Sequence, residues 1–104
     1  MTSTTIAVLP FVNTSNDEYE YFSDGITEEI INALTRITAL KVISRTSSFY
    51  FKGQKLPLKE IAARLNASII LEGSVRIANN SARITAQLIN ADEDAHFWSE
   101  TWNR

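Results

Sequence analysis

The sequence predicts a small α/β domain, a mixed five-stranded sheet with two helices in the order β-α-β-α-β-β-β. Three observations carry that reading. Thr5 to Val12 is a nearly continuous apolar run, as expected of a strand covered on both faces. Two stretches with apolar residues at helical spacing follow, and each leads into a further strand-like run. The last third then reads as three strands joined by tight turns. Strands separated by helices favour parallel pairing with right-handed crossovers, and the final three favour an antiparallel meander.

The elements follow in order. Pro10 cannot donate to a ladder and belongs at the end of the first strand. Asn13 to Glu18 reads as a loop. Asp24 suits a helix N-cap, with Gly25 behind it, and Ile26, Ile30, Leu34 and Ile37 form one apolar stripe, so the pattern predicts a helix over 25–37. Tyr19, Tyr21 and Phe22 just before it read as a packing plug. Leu40 to Ser44 is the second strand, and Arg45 to Gly53 reads as a polar turn ending in the aromatic trio Phe49-Tyr50-Phe51. Pro57 suits a first helical position, Leu58, Ile61, Ala62 and Leu65 make a second stripe, and Asn66 suits a left-handed helix end. Ser68 to Ile77 and Ala82 to Asn90 flank Asn79-Asn80, a pair that tolerates the positive φ angles of a type I′ hairpin. Asp92-Glu93-Asp94 makes another turn, and His96 to Trp102 is the fifth strand, with His96, Trp98, Glu100 and Trp102 expected on one face.

Bulk properties narrow the functional classes. The chain has 104 residues, 44% hydrophobic and 21% charged, which suits one globular domain with a single core. Residues 1–5 are small and polar, so a frayed, disordered start is expected, with the folded domain at 6–104. The net charge of −2 and the scattered Lys and Arg argue against a nucleic-acid footprint. No apolar run is long enough to span a bilayer. With no cysteine and one histidine, the sequence offers no disulfide framework and no recognisable metal site, and it carries no cofactor motif. The last strand runs to Arg104 without a stop signal, which suggests excision from a longer protein.

The motifs resemble one family of bacterial signalling domains. They are Ile6-Ala7-Val8-Leu9-Pro10-Phe11, Tyr21-Phe22-Ser23-Asp24-Gly25-Ile26-Thr27-Glu28-Glu29-Ile30, Arg45-Thr46-Ser47-Ser48-Phe49 with Lys52-Gly53, Leu71-Glu72-Gly73-Ser74-Val75-Arg76, Arg83-Ile84-Thr85-Ala86-Gln87-Leu88 and His96-Phe97-Trp98-Ser99-Glu100-Thr101-Trp102-Asn103-Arg104. Together they are similar to the TolB-amino-terminal-like module found beside tetratricopeptide repeats in bacterial adenylate cyclase-like proteins and CadC-type winged-helix regulators. The resemblance implies an anticodon-binding-domain-like fold with strand order 2-1-3-4-5. It implies that a catalytic or DNA-binding domain lies N-terminal and helical repeats C-terminal. The compartment would be cytoplasmic, or periplasmic where the parent is a membrane-spanning CadC-type regulator. The family brings no agreed catalytic residues. Relatives usually carry a glycine in the turn occupied here by Asp92-Glu93-Asp94.

Two functional readings follow. The first is a non-catalytic interaction or signal-relay domain, whose partners are the neighbouring helical repeats or another protein. Its contact surface would be Trp98, Trp102 and Glu100, since tryptophan is over-represented at binding hot spots. The second is a ligand-sensing module in which Arg45, Thr46, Ser47, Ser48 and Lys52 hold a polar or acidic ligand at the carboxyl ends of the strands. Asp24 and Gly25 are read as structural. So are Glu72 and Gly73: a carboxylate among apolar neighbours should pair with Arg76 or Arg83, and the glycine should mark a bulge or close packing.

Overall fold

The computed structural model describes residues 4–104. The opening apolar run becomes β1 (Thr4–Val8), which lies between two parallel neighbours, β3 (Leu40–Val42) and β4 (Ile69–Ala78). Ala7 and Val8 are fully buried, as a strand covered on both faces requires. Thr4 and Thr5 pair with Leu40 and Lys41, so the strand starts inside the stretch expected to fray; Met1, Thr2 and Ser3 lie outside the described residues. Pro10 sits beyond the strand, and the chain then rejoins the sheet as β2 (Val12–Asn13), parallel to Ser74 and Val75.

That two-residue strand makes the sheet six-stranded rather than five-stranded. The order is β3-β1-β4-β5-β6, with β2 beside β4, and it departs in that detail from the expected 2-1-3-4-5. β5 (Ser81–Asn90) and β6 (Ala95–Asn103) complete an antiparallel meander with β4. Asn79 and Asn80 hold φ of 51° and 64°, the left-handed pair a type I′ turn demands. In the next turn Asp94 takes φ 51°, and the Asn90 side chain accepts from the amides of Asp92 and Glu93.

Three helices, not two, cover the sheet. The first, α1 (Glu20–Leu34), starts five residues earlier than its pattern suggests. A 3₁₀ turn at Asp17–Tyr19 feeds directly into it, so Asp24 and Gly25 lie within the helix, and Asp24 caps nothing. Ile26, Ile30 and Leu34 pack on the sheet, whereas Ile37 falls past the helix end and is exposed. Tyr21, 90% exposed, is not part of a plug. The stretch after β3 is a second helix, α2 (Arg45–Phe49), capped by the Ser44 hydroxyl accepting from the Ser47 amide. Its five residues are too few to show a period and are mostly poor helix formers, which is why it reads as a turn. The third, α3 (Leu58–Leu65), begins one residue after Pro57 and ends on Asn66 in the left-handed conformation, φ 55°.

The two faces of the sheet bury separate cores. Ile6, Val8, Phe11, Leu71, Val75 and Ala86 meet α1 on one side. Ala7, Leu9, Ile70 and Ile89 meet Phe51, Ile61, Ala62 and Leu65 on the other. Thr27, fully buried, joins α1 to the β1–β2 link, because its hydroxyl accepts from the Phe11 amide at 2.9 Å and donates to the Ser23 carbonyl at 3.0 Å. Gly73 packs closely, as expected: a Cβ there would stand 2.1 Å from the Thr85 carbonyl oxygen and 2.6 Å from the Phe11 ring.

Candidate functional site

Two places in the fold bear on function. The first is the junction where α2 faces α1. Glu20, Asp24 and Glu28 stand four residues apart on α1, so their carboxylates form one row along the helix. Lys52 Nζ reaches Glu20 at 2.7 Å and both Asp24 oxygens at 2.8 Å, and Arg45 Nε reaches Glu28 at 3.2 Å. The Arg45 guanidinium also lies 4.1 Å over the Phe49 ring. Arg45 and Lys52 thus lie along one face of α1, and both cations have internal carboxylate partners. The hydrogen bond from Lys52 holds the Glu20 carboxyl below its ordinary value. Burial alone would lower Lys52, but the bonds to Asp24 and Glu20 outweigh it and raise the amine.

The hydroxyls of this segment do not converge on one point. Ser47 bonds the cap Ser44, Thr46 is exposed, and Ser48 is fully buried with its hydroxyl unpartnered. Ser23 on α1 is also fully buried and unpartnered. Nothing here gathers free donors toward a ligand. An open groove of about 760 Å³ does lie beside the junction, floored by Leu9, Phe51, Ile61 and Ile89 and edged by Lys52, Glu72 and Gln87. Glu72 accepts a hydrogen bond from Gln87 Nε2 at 2.8 Å rather than pairing with Arg76 or Arg83. Gln87 is its direct cross-strand neighbour, while Arg76 and Arg83 stand opposite each other four residues along. Among the described residues no three His, Asp or Glu side chains gather closely enough to hold a metal ion, and no helix is long and apolar enough to cross a membrane.

The second place is β6. All nine of its residues are exposed, and among the described residues it pairs only with β5. Trp98 lies opposite Leu88, Glu100 opposite Ala86 and Trp102 opposite Ile84. Directly opposed residues share a face, so Trp98, Glu100 and Trp102 extend the apolar surface of the α1 side. The indoles are 6.2 Å apart between centroids and remain 39% and 44% exposed. His96 does not share their face. A register shift between Leu88 and Ile89 puts it opposite Ile89, whose side chain belongs to the α3-side core. Alternation in the sequence gave the Trp98–Trp102 face correctly but carried no signal for that irregularity.

Comparison with known proteins places the chain in a family and a fold. The family model of the second domain of HilA/YgeH-like transcriptional regulators matches residues 2–103. A Rhizobium meliloti (strain 1021) protein named "Putative adenylate cyclase 3" is 47% identical over 100 residues, covering 95% of this chain. The chain spans 17% of that protein's length, so the related segment is a small domain in a larger protein. In fold, the chain is similar to the lipoprotein GNA1162 of Neisseria meningitidis, with a TM-score of 0.78 at 15% identity over 97% of this chain and 79% of that one. TolB of Acinetobacter baumannii matches the whole of this chain and 24% of its own, with a TM-score of 0.66 at 12% identity.

Proposed function

Because the chain belongs to the family of second domains of HilA/YgeH-like transcriptional regulators, we propose that it is a non-catalytic relay domain that works by docking. Its contact surface is β6 with Trp98, Glu100 and Trp102, and its partners are neighbouring domains of the protein that carries it or another protein. Any catalytic activity of that larger protein would reside in a different domain. The observation that carries the reading is the contrast between the two places. The cations at the α1–α2 junction are neutralised internally, whereas the nine exposed residues of β6 include two tryptophans and leave an open strand edge. The internal neutralisation of Arg45 and Lys52 also weighs against the ligand-sensing alternative.

The test is an NMR titration of the isotope-labelled chain with the remaining segments of a family protein that contains it. The expected result is movement of the Trp98 and Trp102 indole signals, with Arg45–Lys52 unchanged. Still indoles, with metabolites shifting Arg45–Lys52 instead, would sink the docking reading.

A further inference from the structure

The two edges of the sheet are protected very differently. β3 is three residues long and carries Lys41, so it offers little to a stray strand. β6 is nine residues long, with no proline or lysine and Glu100 as its only carboxylate. Its free backbone groups can be located. Arg104 and Ala82 exchange both backbone hydrogen bonds, at 2.7 and 2.8 Å, so they form a hydrogen-bonded pair. Pairs alternate along an antiparallel ladder, so Trp102, Glu100 and Trp98 bond β5, while Asn103, Thr101 and Ser99 turn their N–H and C=O outward.

Charge along this edge is polarised. At one end Arg76 and Arg83 oppose each other directly on one face, Arg104 closes the same end on the other face opposite Ala82, and none of the three has an ion-pair partner among the described residues. Like charges directly opposed destabilise a sheet unless something compensates them. At the other end the turn carries Asp92, Glu93 and Asp94, also without ion pairs among the described residues. An edge that is basic at one end and acidic at the other is complementary to itself when reversed.

We propose that the partner of β6 is a second copy of this chain, paired antiparallel about a two-fold axis at Ser99, an inference that rests on the docking reading above. Outward-facing Ser99 meets its own copy and the like-charged Glu100 pair is offset rather than directly opposed, while the irregularity at Phe97 limits the new ladder to the few residues around the axis. Arg104 and, one strand further in, Arg83 then come against the partner's acidic turn at both ends of the seam. The four tryptophans of the two copies line one face of the joined sheet.

Sedimentation velocity and light scattering of this chain across a concentration series test the proposal. A reversible dimer that weakens as salt is added is expected. Thr101→Pro removes an outward N–H without touching the β5 ladder, and Ser99→Lys puts like charges at the axis; both should give a monomer with unchanged circular dichroism. Arg104→Gln should weaken the dimer about tenfold, since two surface ion pairs at about 0.7 kcal/mol each are lost. The chain has no native cysteine, so Ser99→Cys should oxidise to a covalent dimer while Asn103→Cys does not. A monomer at every concentration, or equal cross-linking at positions 99 and 103, overturns the proposal. If such a monomer still shifts its indoles on adding other segments of a family protein, self-pairing fails while the relay reading stands.

Discussion

Single residues show how context sets the sign of a substitution. Gly25 lies inside α1 with nothing within 4 Å of where a Cβ would stand. Gly25→Ala should therefore stabilise the fold by about 0.5–1 kcal/mol, because alanine loses less backbone freedom on entering a helix. Gly73 is the opposite case. Its missing Cβ makes room for the Thr85 carbonyl and the Phe11 ring, and that carbonyl belongs to the backbone of β5 and cannot swing aside. Gly73→Ala should cost about 3 kcal/mol or more, and urea unfolding of the two variants beside the parent measures both. The close packing at Gly73 could be anticipated from the sequence. The Asp24-Gly25 pair misled, because the two residues have the local chemistry of a helix start. Only the 3₁₀ turn before them shows that the helix is already under way.

At the scale of elements, α2 and the turn after it are joined to α1 by ion pairs at the surface. Lys52 holds two carboxylates, and Arg45 holds a third. The Glu20 carboxyl is lowered, so its contribution is present above the ordinary carboxylate range and fades as pH falls through the lowered value. Lys52 is raised, so its contribution is complete below the ordinary lysine range and fades as pH rises through the raised value. The fastening therefore holds between about pH 5 and pH 10. Glu20 and Lys52 side chains are 42% and 34% exposed, so solvent screens the pair. Lys52→Met should cost only about 0.5–1 kcal/mol at pH 7, and less at high salt. Thermal melts at neutral pH and along an acid series check this: the gap between variant and parent should narrow as pH falls through the lowered Glu20 value. A gap that stays constant along the whole acid series would assign the loss to packing of the lysine stem.

Across the whole molecule, long periodic segments were legible in the sequence and short ones were not. The apolar run of β1, the alternation of β5, the Asn79-Asn80 turn and the helix ending on Asn66 each repeat a pattern or use a residue suited to one backbone conformation. β2, with two residues, and α2, with five, carry no period, and tertiary contacts decide them. The grouping of Arg45 with Lys52 was visible from spacing. That α1 would supply their counter-charges was not, because the row Glu20, Asp24 and Glu28 becomes a row only once the helix starts at Glu20.

The parallel seam between β1 and β4 has a consequence for how the chain is made. Ser68 donates to the Thr5 carbonyl across 63 positions of sequence, whereas the β4–β5 hairpin closes over a two-residue turn. Synthesis proceeds from the N-terminus, so β1, an apolar strand destined for burial on both faces, leaves the ribosome before the other strands of this domain. It has β3 available as a neighbour after some forty residues, but its other edge stays open until most of the domain has been translated. The segment most in need of shelter is thus the one that waits longest for it.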